Sequence, residues 1–208
     1  MIRSCILATA VAFLSCTASF AADLAPSELR PGFSWGGAYV GASGGYVWNK
    51  GTDKFGAVTD NLAANAGTIS GFVGYNYEIS PAIIAGLEGE LGYDWNKVTT
   101  TSGTKATGGL DTTLRGRIGI AYDRALLYVA GGYAGTALKL ERGATSTTPW
   151  LNGWTIGAGV DYAIADNLFL RGEYRYAQYV KQNVTLAGAT HAVDLSNQTF
   201  KVGLGMKF

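Results

Sequence analysis

The side chains that could do covalent or metal chemistry are few, and they lie in one polar stretch near the C-terminus. His191 is the only histidine of the chain, and Asp194 and Ser196 follow within six residues. Acyl transfer on a lipid would need a serine nucleophile beside a histidine base, which makes Ser196 or Ser146 the candidate. Three residues on one short loop are not held by separate elements, as a catalytic triad requires. No second histidine, cysteine or methionine follows nearby to complete a metal site. We therefore predict no catalytic residue and no metal.

A larger set of ionisable side chains is spread over apolar segments. Paired acids could serve as general acid and base, but charges in apolar surroundings persist only when they are paired and hydrogen-bonded. The stronger interpretation is a structural ion-pair network. The set contains the acids Glu78, Glu88, Glu90, Asp94, Asp111, Asp161 and Glu173 and the bases Arg115, Arg117, Arg171, Arg175, Lys201 and Lys207.

Predicted partners follow from which segments are neighbours along the chain. Glu88 and Glu90 are expected to meet Arg115 and Arg117 across the third and fourth segments. Across the seventh and eighth segments, the predicted contacts join Arg171, Glu173 and Arg175 to Lys201.

The segments that carry these charges alternate with period two, as β-strands with two different faces do. Leu114, Ile118 and Ile120 alternate with Arg115 and Arg117, for example. In the first segment the parity is ambiguous. Eight such strands are predicted, at about 34–49, 66–79, 82–96, 108–122, 126–140, 151–164, 168–180 and 198–208.

Connections between the predicted strands alternate in length. Tight turns at 80–81, 123–125 and 165–167 contrast with long polar loops at 50–65, 97–107, 141–150 and 181–197. Short turns at one end and long loops at the other are typical of an outer-membrane barrel, with the termini on the periplasmic side and the loops outside the cell. Eight strands leave an interior just wide enough for side chains to fill. A soluble sheet with one wet face is the alternative, because it shows the same alternation.

The N-terminal segment resembles a secretory signal. Arg3 precedes a short apolar stretch, and small residues around Ala21 suit a signal peptidase. We predict a signal peptide at 1–22, a periplasmic linker at 23–33 and the barrel at 34–208. A retained anchor, or a lipoprotein signal at Cys16, is the alternative. Cleavage would remove Cys5 and Cys16, the only two cysteines.

Composition argues against a nucleic-acid-binding protein. Glycine supplies 30 of 208 residues, and the formal net charge is +1. A balanced charge lacks the basic patch of a nucleic-acid-binding protein.

Aromatic side chains lie near the predicted strand ends, where barrels carry interfacial girdles. The girdle is predicted from Tyr93, Trp95, Trp150, Trp154, Tyr162, Tyr174, Tyr176 and Tyr179.

The chain resembles the small outer-membrane β-barrels of alphaproteobacteria, which include surface antigens, hemin-binding proteins and proteins described as porins. The resemblance lies in the Phe-Ala-Ala-Asp-Leu signal end, in the Gly- and Tyr-rich segment 34–46 and in the terminal Phe208. It implies an all-β, eight-stranded, up-and-down transmembrane barrel inserted by the outer-membrane assembly machinery. That machinery would read the terminal strand through Phe200, Val202, Leu204, Met206 and Phe208.

Three functions are compatible with this resemblance. The first is a monomeric, non-enzymatic protein that stabilises the envelope in contact with lipid and lipopolysaccharide and offers its loops to host or surface ligands. The second is binding of hemin or another ligand through the loops, with His191 as the candidate ligand, and weak porin-like diffusion is a variant of the first. The third is a lipid-modifying enzyme. No other cofactor is expected.

Overall fold

A computed structural model describes residues 33–55, 58–95, 97–99, 105–137, 139–142, 145–180, 182–186 and 189–208. The predicted signal peptide and all of the predicted linker except Phe33 lie outside these residues. Within the described part of the chain, no helix is long and apolar enough to cross a membrane.

The described residues are almost entirely β-strand. The strands are β1 Gly37–Phe55, β2 Val58–Ser80, β3 Ile83–Asp94, β4 Lys97–Thr99, β5 Lys105–Thr107, β6 Leu110–Tyr122, β7 Ala125–Ala137, β8 Lys139–Arg142, β9 Thr145–Thr147, β10 Trp150–Ala163, β11 Leu168–Tyr179, β12 Gln182–Leu186 and β13 Ala189–Lys207.

Eight of these strands form the barrel wall, in the order β1, β2, β3, β6, β7, β10, β11 and β13. Each pairs antiparallel with the next. Closure comes from β1 and β13, whose pairing runs from Tyr39 opposite Lys207 to Lys54 opposite Ala192. A closed wall satisfies the backbone hydrogen bonds of every strand, which a membrane interior demands. The predicted eight-stranded antiparallel barrel is confirmed.

The two ends of the barrel differ, and we call them the turn end and the hairpin end. At the turn end, β2 and β3, β6 and β7, and β10 and β11 are joined by short turns, where Asp123 takes a positive φ of 50°. At the hairpin end the prediction of long loops needs correction. Much of their length is strand, because β1 and β2 continue pairing to Phe55 opposite Val58. The hairpins after β3 and β7 join through β5 and β8.

Side chains alternate between the outer face and the interior along each wall strand. The ambiguous first strand is resolved, with Tyr39 and Val47 buried and Tyr46 exposed. On β13 the inward row includes Lys201. Its outward row includes Phe200, Val202, Leu204, Met206 and, just after the strand, Phe208.

An apolar layer closes the barrel interior at the turn end. Trp35 packs edge-on against Phe169 at a centroid distance of 5.9 Å, and Phe33 packs on Trp35 at 4.6 Å. Asn76 Nδ2 donates to the Trp35 carbonyl at 3.0 Å, which holds the segment before β1 in the opening. The buried members of this layer are Trp35, Tyr39, Phe72, Ile84, Leu126, Ala163 and Phe169.

Candidate functional site: the barrel interior and the hairpins

The centre of the barrel is filled by charged side chains that neutralise one another. Arg115 on β6 is 1% exposed. Its guanidinium donates to Glu88 at 2.5 Å and to Glu173 at 2.8 Å. Because Glu88 is on β3 and Glu173 on β11, four places away in the ring of strands, a single side chain joins opposite sides of the wall.

Two further arginines share Asp161, which is 1% exposed. Arg171 Nε donates to Asp161 Oδ1 at 2.8 Å, and Arg117 Nη2 donates to Oδ2 at 2.7 Å. Both arginines also reach Glu88 Oε2, at 2.5 Å for Arg171 and 3.4 Å for Arg117. Glu88 therefore forms ion pairs with three guanidinium groups, those of Arg115, Arg117 and Arg171.

The third part of the network surrounds Glu90. Arg175 Nη2 lies 2.6 Å from Glu90 Oε2 and 2.7 Å from Glu173 Oε1. Lys201 Nζ pairs with Glu90 Oε1 and donates to Ser70 Oγ at 3.1 Å. Every carboxylate here accepts from more than one cation, which is the condition under which buried charge is tolerated.

Aromatic side chains complete the network by donating hydrogen bonds and offering ring faces. Tyr39 donates to Glu88 at 2.9 Å, and Tyr128 donates to Glu173 at 2.8 Å. The Arg117 guanidinium lies 4.0 Å from the Tyr128 ring centroid, at the distance of a cation–π contact. Neither tyrosine was among the predicted interior residues.

Some of the predicted ion pairs form in the structure, and others do not. Arg115 lies opposite Glu88 in the register and contacts it, as expected for neighbouring strands. Lys201 also lies opposite Glu173, yet it pairs with Glu90 across the barrel. The reason is geometric: inward side chains of a narrow barrel converge on its axis, where strands that are not neighbours meet.

Three predicted interior charges need correction. Asp111 points inward, but among the described residues it forms no ion pair within 4.0 Å, and its Oδ1 has no hydrogen-bond partner. Glu78 is exposed at the turn end, where it accepts from Ser34 Oγ at 2.9 Å and Gly36 N at 2.8 Å. Lys207 reaches Ser34 Oγ at 3.5 Å. Glu78 and Lys207 lie at the rim of the turn end because β2 and β13 end there.

Exposed aromatic side chains surround the barrel near both ends. Tyr179 departs from the predicted girdle, because it is 5% exposed and packs inside the hairpin end. Three exposed tyrosines at the turn end were not part of the predicted girdle: Tyr75, Tyr77 and Tyr122. The exposed aromatics that were predicted are Tyr93, Trp95, Trp150, Trp154, Tyr162 and Tyr174.

The candidate reactive residues lie on hairpin-end strands. The backbone of His191 pairs with Val184 of β12, and its side chain lies outside the described part. Ser196 is five residues further along β13, about 17 Å at strand spacing, and its Oγ donates to the Lys50 carbonyl at 3.4 Å. Ser146 is on β9, opposite Glu141. No cluster of three metal-ligating side chains occurs among the described residues.

The family model for the outer membrane protein beta-barrel domain matches residues 8–208. This chain belongs to that family. The 25 kDa outer-membrane immunogenic protein of Brucella melitensis is 36% identical over 217 residues, covering 100% of this chain and 99% of the relative. A 22 kDa outer membrane protein of Rhizobium leguminosarum is 29% identical and covers 88% of this chain and 82% of the relative. The predicted resemblance is thereby confirmed, and the protein is an outer-membrane protein.

Solved structures agree with the fold of this outer-membrane barrel. Neisserial surface protein A has a TM-score of 0.55 at 14% identity, covering 82% of this chain and 97% of that chain. Ail of Yersinia pestis, solved with the heparin analogue sucrose octasulfate, has a TM-score of 0.51 at 16% identity, covering 83% and 99%. The protease OmpT of Escherichia coli has a TM-score of 0.51 at 10% identity, covering 82% and 96%. Since barrels with different activities are alike in fold, the fold alone assigns none of these activities.

Proposed function

We propose that this outer-membrane barrel is a non-enzymatic envelope protein that presents its hairpin end at the cell surface. The observation that carries the proposal is the filled interior: an apolar layer at the turn end is followed by a dense ion-pair network. A filled barrel offers neither a reaction cleft nor a wide channel. The hairpins are then the part that can meet other molecules.

The hairpin end supports this role by its construction. Lys105, Ala106 and Thr107 of β5 pair with β8, so the connections after β3 and β7 share one sheet. This pairing holds the described strands of the two connections in a fixed register. The name of the Brucella relative, an immunogenic protein, fits exposure of such hairpins.

Contacts with lipid follow from the outer face. Leu87, Leu114 and Ile120 are each more than 60% exposed, which suits hydrocarbon chains around the wall. We propose lipid and lipopolysaccharide as the lateral partners, and a monomer as the unit. We also propose that the assembly machinery reads the outward row that ends at Phe208.

Site-directed labelling of intact cells tests which end faces outward. The chain has two cysteines, Cys5 and Cys16, and the predicted processing removes both. Ser146→Cys places a thiol on exposed β9, and Asp166→Cys places one on an exposed turn. A membrane-impermeant maleimide is expected to label Ser146→Cys on intact cells and Asp166→Cys only after permeabilisation. The reverse pattern would overturn the proposed orientation.

A further inference from the structure

The outer face of the barrel carries amide side chains where the wall approaches the hairpins. Asn152 on β10 is exposed, and Gln178 on β11 and Gln198 on β13 are half-buried. Hydrocarbon chains offer an amide no hydrogen-bond partner, so amides among acyl chains alone are costly. Their presence indicates that this level of the wall meets a polar neighbour as well as lipid.

Each of the three amide oxygens accepts a hydrogen bond from a tyrosine hydroxyl. The pairs are Tyr133 with Asn152 at 2.6 Å, Tyr176 with Gln178 at 2.7 Å and Tyr174 with Gln198 at 3.1 Å. Trp150 Nε1, which can only donate, donates to the Tyr133 hydroxyl at 3.1 Å and so directs the Tyr133 proton toward Asn152. The amide nitrogens of Asn152 and Gln198 donate no hydrogen bond within the described residues. These nitrogens are therefore donors that a ligand can use.

The strand register gathers these groups on one side of the barrel. One outward row crosses four neighbouring strands through Trp154, Gln178, Ser196 and Lys50. The adjacent row places Tyr176 opposite Gln198, and the rings of Trp154 and Tyr176 pack at a centroid distance of 5.7 Å. We call the following set the amide patch: Lys50, Asn152, Trp154, Tyr176, Gln178 and Gln198.

The opposite side of the wall has aromatic rings without the amides. β3 lies four places from β11 in the ring of strands. At its hairpin end, the rings of Tyr93 and Trp95 lie 5.9 Å apart, and Leu110 of β6 is opposite Tyr93. No asparagine, glutamine or lysine occurs in β3 or β6. An aromatic girdle alone therefore does not account for the amide patch.

The amide patch offers hydrogen-bond donors beside ring faces. Lys50 is exposed and carries a positive charge with three donors, and each side-chain amide nitrogen carries two. A phosphate accepts strong, charge-assisted bonds from such a lysine. Trp154 and Tyr176 combine an apolar ring with a polar tip, which suits a ligand that is part sugar and part acyl chain.

We propose that the amide patch binds the phosphorylated sugar headgroup of one lipopolysaccharide molecule, whose acyl chains lie along the apolar wall toward the turn end. The inference rests on the proposed function, which places the hairpin end at the cell surface, in the leaflet that holds this lipid. It assigns one side of the barrel to the contact. A glycerophospholipid has the phosphate but offers no sugar to the amides and rings.

Thermal unfolding of the full barrel in phosphatidylcholine vesicles, followed by circular dichroism, tests the proposal. Vesicles that also contain lipopolysaccharide are compared with vesicles that contain phosphatidylglycerol at equal surface charge. We expect Tm to be roughly 4–8 °C higher with lipopolysaccharide, because a ligand of the folded state stabilises it. Equal Tm values with the two lipids would overturn the proposal.

This result does not depend on the orientation of the barrel in the cell, since the vesicles carry each lipid in both leaflets. Maleimide labelling of Ser146→Cys and Asp166→Cys tests the orientation separately. Reversed labelling with a retained Tm difference would overturn the proposed function, whereas the expected labelling without the Tm difference would overturn the binding site.

Variants localise the effect to the amide patch. Gln198→Leu removes an amide donor and Lys50→Gln removes the charge, so each is expected to lose roughly half or more of the Tm difference between the lipids. Trp154→Leu is expected to reduce it as well. Trp95→Leu, on the opposite side, is the matched control and keeps the difference. Equal losses in the two tryptophan variants would overturn the assignment to this side.

A spectroscopic measurement on the unaltered protein does not depend on the folding of any variant. Lipopolysaccharide is added to the isotope-labelled barrel in phosphatidylcholine nanodiscs. The side-chain amide resonances of Asn152 and Gln198 are expected to shift more than the indole resonance of Trp95. Equal shifts at all three side chains would overturn the proposal.

Discussion

At the scale of the residue, a few buried carboxylates each contact several arginine or lysine side chains. Glu88 is the clearest case, since it is 2% exposed and contacts Arg115, Arg117 and Arg171. Its removal would leave three guanidinium groups short of a partner in a buried site. Removing one partner of a buried ion-pair network lowers stability more than removing one partner of an exposed ion pair does.

We predict that Glu88→Gln destabilises the barrel by about 3–5 kcal/mol, the cost of leaving buried charge unpaired. The measurement is urea unfolding of the protein in lipid vesicles, with gel mobility before and after heating as a second readout. Asp166→Asn is the control and should change stability by less than about 0.5 kcal/mol, as exposed substitutions usually do. A Glu88→Gln protein as stable as the control would mean that the network contributes little.

His191 gives the second prediction at this scale. It is the chain's only histidine, and hemin held by the hairpins would depend on its imidazole. Under the proposed function, absorbance titration of the folded barrel with hemin is expected to give the same weak, unsaturated curve for the native protein and for His191→Ala. Saturable binding that the variant loses would move the function to hemin capture.

At the scale of the element, glycines on neighbouring strands have two different reasons to be there. Gly74 faces the interior, where an added Cβ would lie 2.3 Å from the Tyr39 hydroxyl and 2.8 Å from the Leu87 carbonyl. Gly89 lies on the outward row of β3, and a Cβ there would meet nothing within 4 Å. The first glycine makes room for the network, whereas the second has no steric requirement.

This difference predicts opposite outcomes for the same substitution. Gly74→Ala is expected to cost about 1–3 kcal/mol, because it forces Tyr39 and the backbone apart. Gly89→Ala is expected to stay within about 0.5 kcal/mol of the native protein. Unfolding midpoints of the two variants in the same vesicles provide the comparison. Equal losses would show that glycine is needed in the wall for a reason other than interior packing.

At the scale of the whole molecule, the interior is filled in successive layers. The apolar layer around Trp35 and Phe169 closes the turn end, and the network around Glu88 and Arg115 fills the middle. Toward the hairpin end, Leu151 and Tyr179 pack in a second apolar cluster. Together these layers leave no wide aqueous path among the described residues.

Conductance measures this closure directly. Purified barrel added to planar lipid bilayers is expected to give no stable channel, because the charged side chains are locked together across the interior. A general porin measured in the same bilayer is the positive control. Reproducible ohmic steps from the unaltered protein would contradict a filled interior and would favour the porin-like alternative.

Much of the architecture could be predicted from the sequence. Period-two alternation identified the eight wall strands, because a strand between lipid and a packed interior must change character at every residue. The strand bounds at the turn end were close, since short turns have distinctive residues. The hairpin end was predicted less well: polar composition suggests a loop, whereas β1 and β2 continue pairing to Phe55.

Where the alternation is unambiguous, as on β3 and β6, the inward side chains could be predicted from the sequence, since parity along a strand is a local property. Which of the inward charges pair with one another depends on the closed barrel. Lys201 lies opposite Glu173 and yet pairs with Glu90, and Arg115 bridges β3 and β11. Asp111 points inward as its parity predicts, yet it forms no ion pair within 4.0 Å among the described residues. The physical reason is that closure of the wall brings distant strands within the length of one side chain, and this distance is not encoded in the spacing of residues along any one strand.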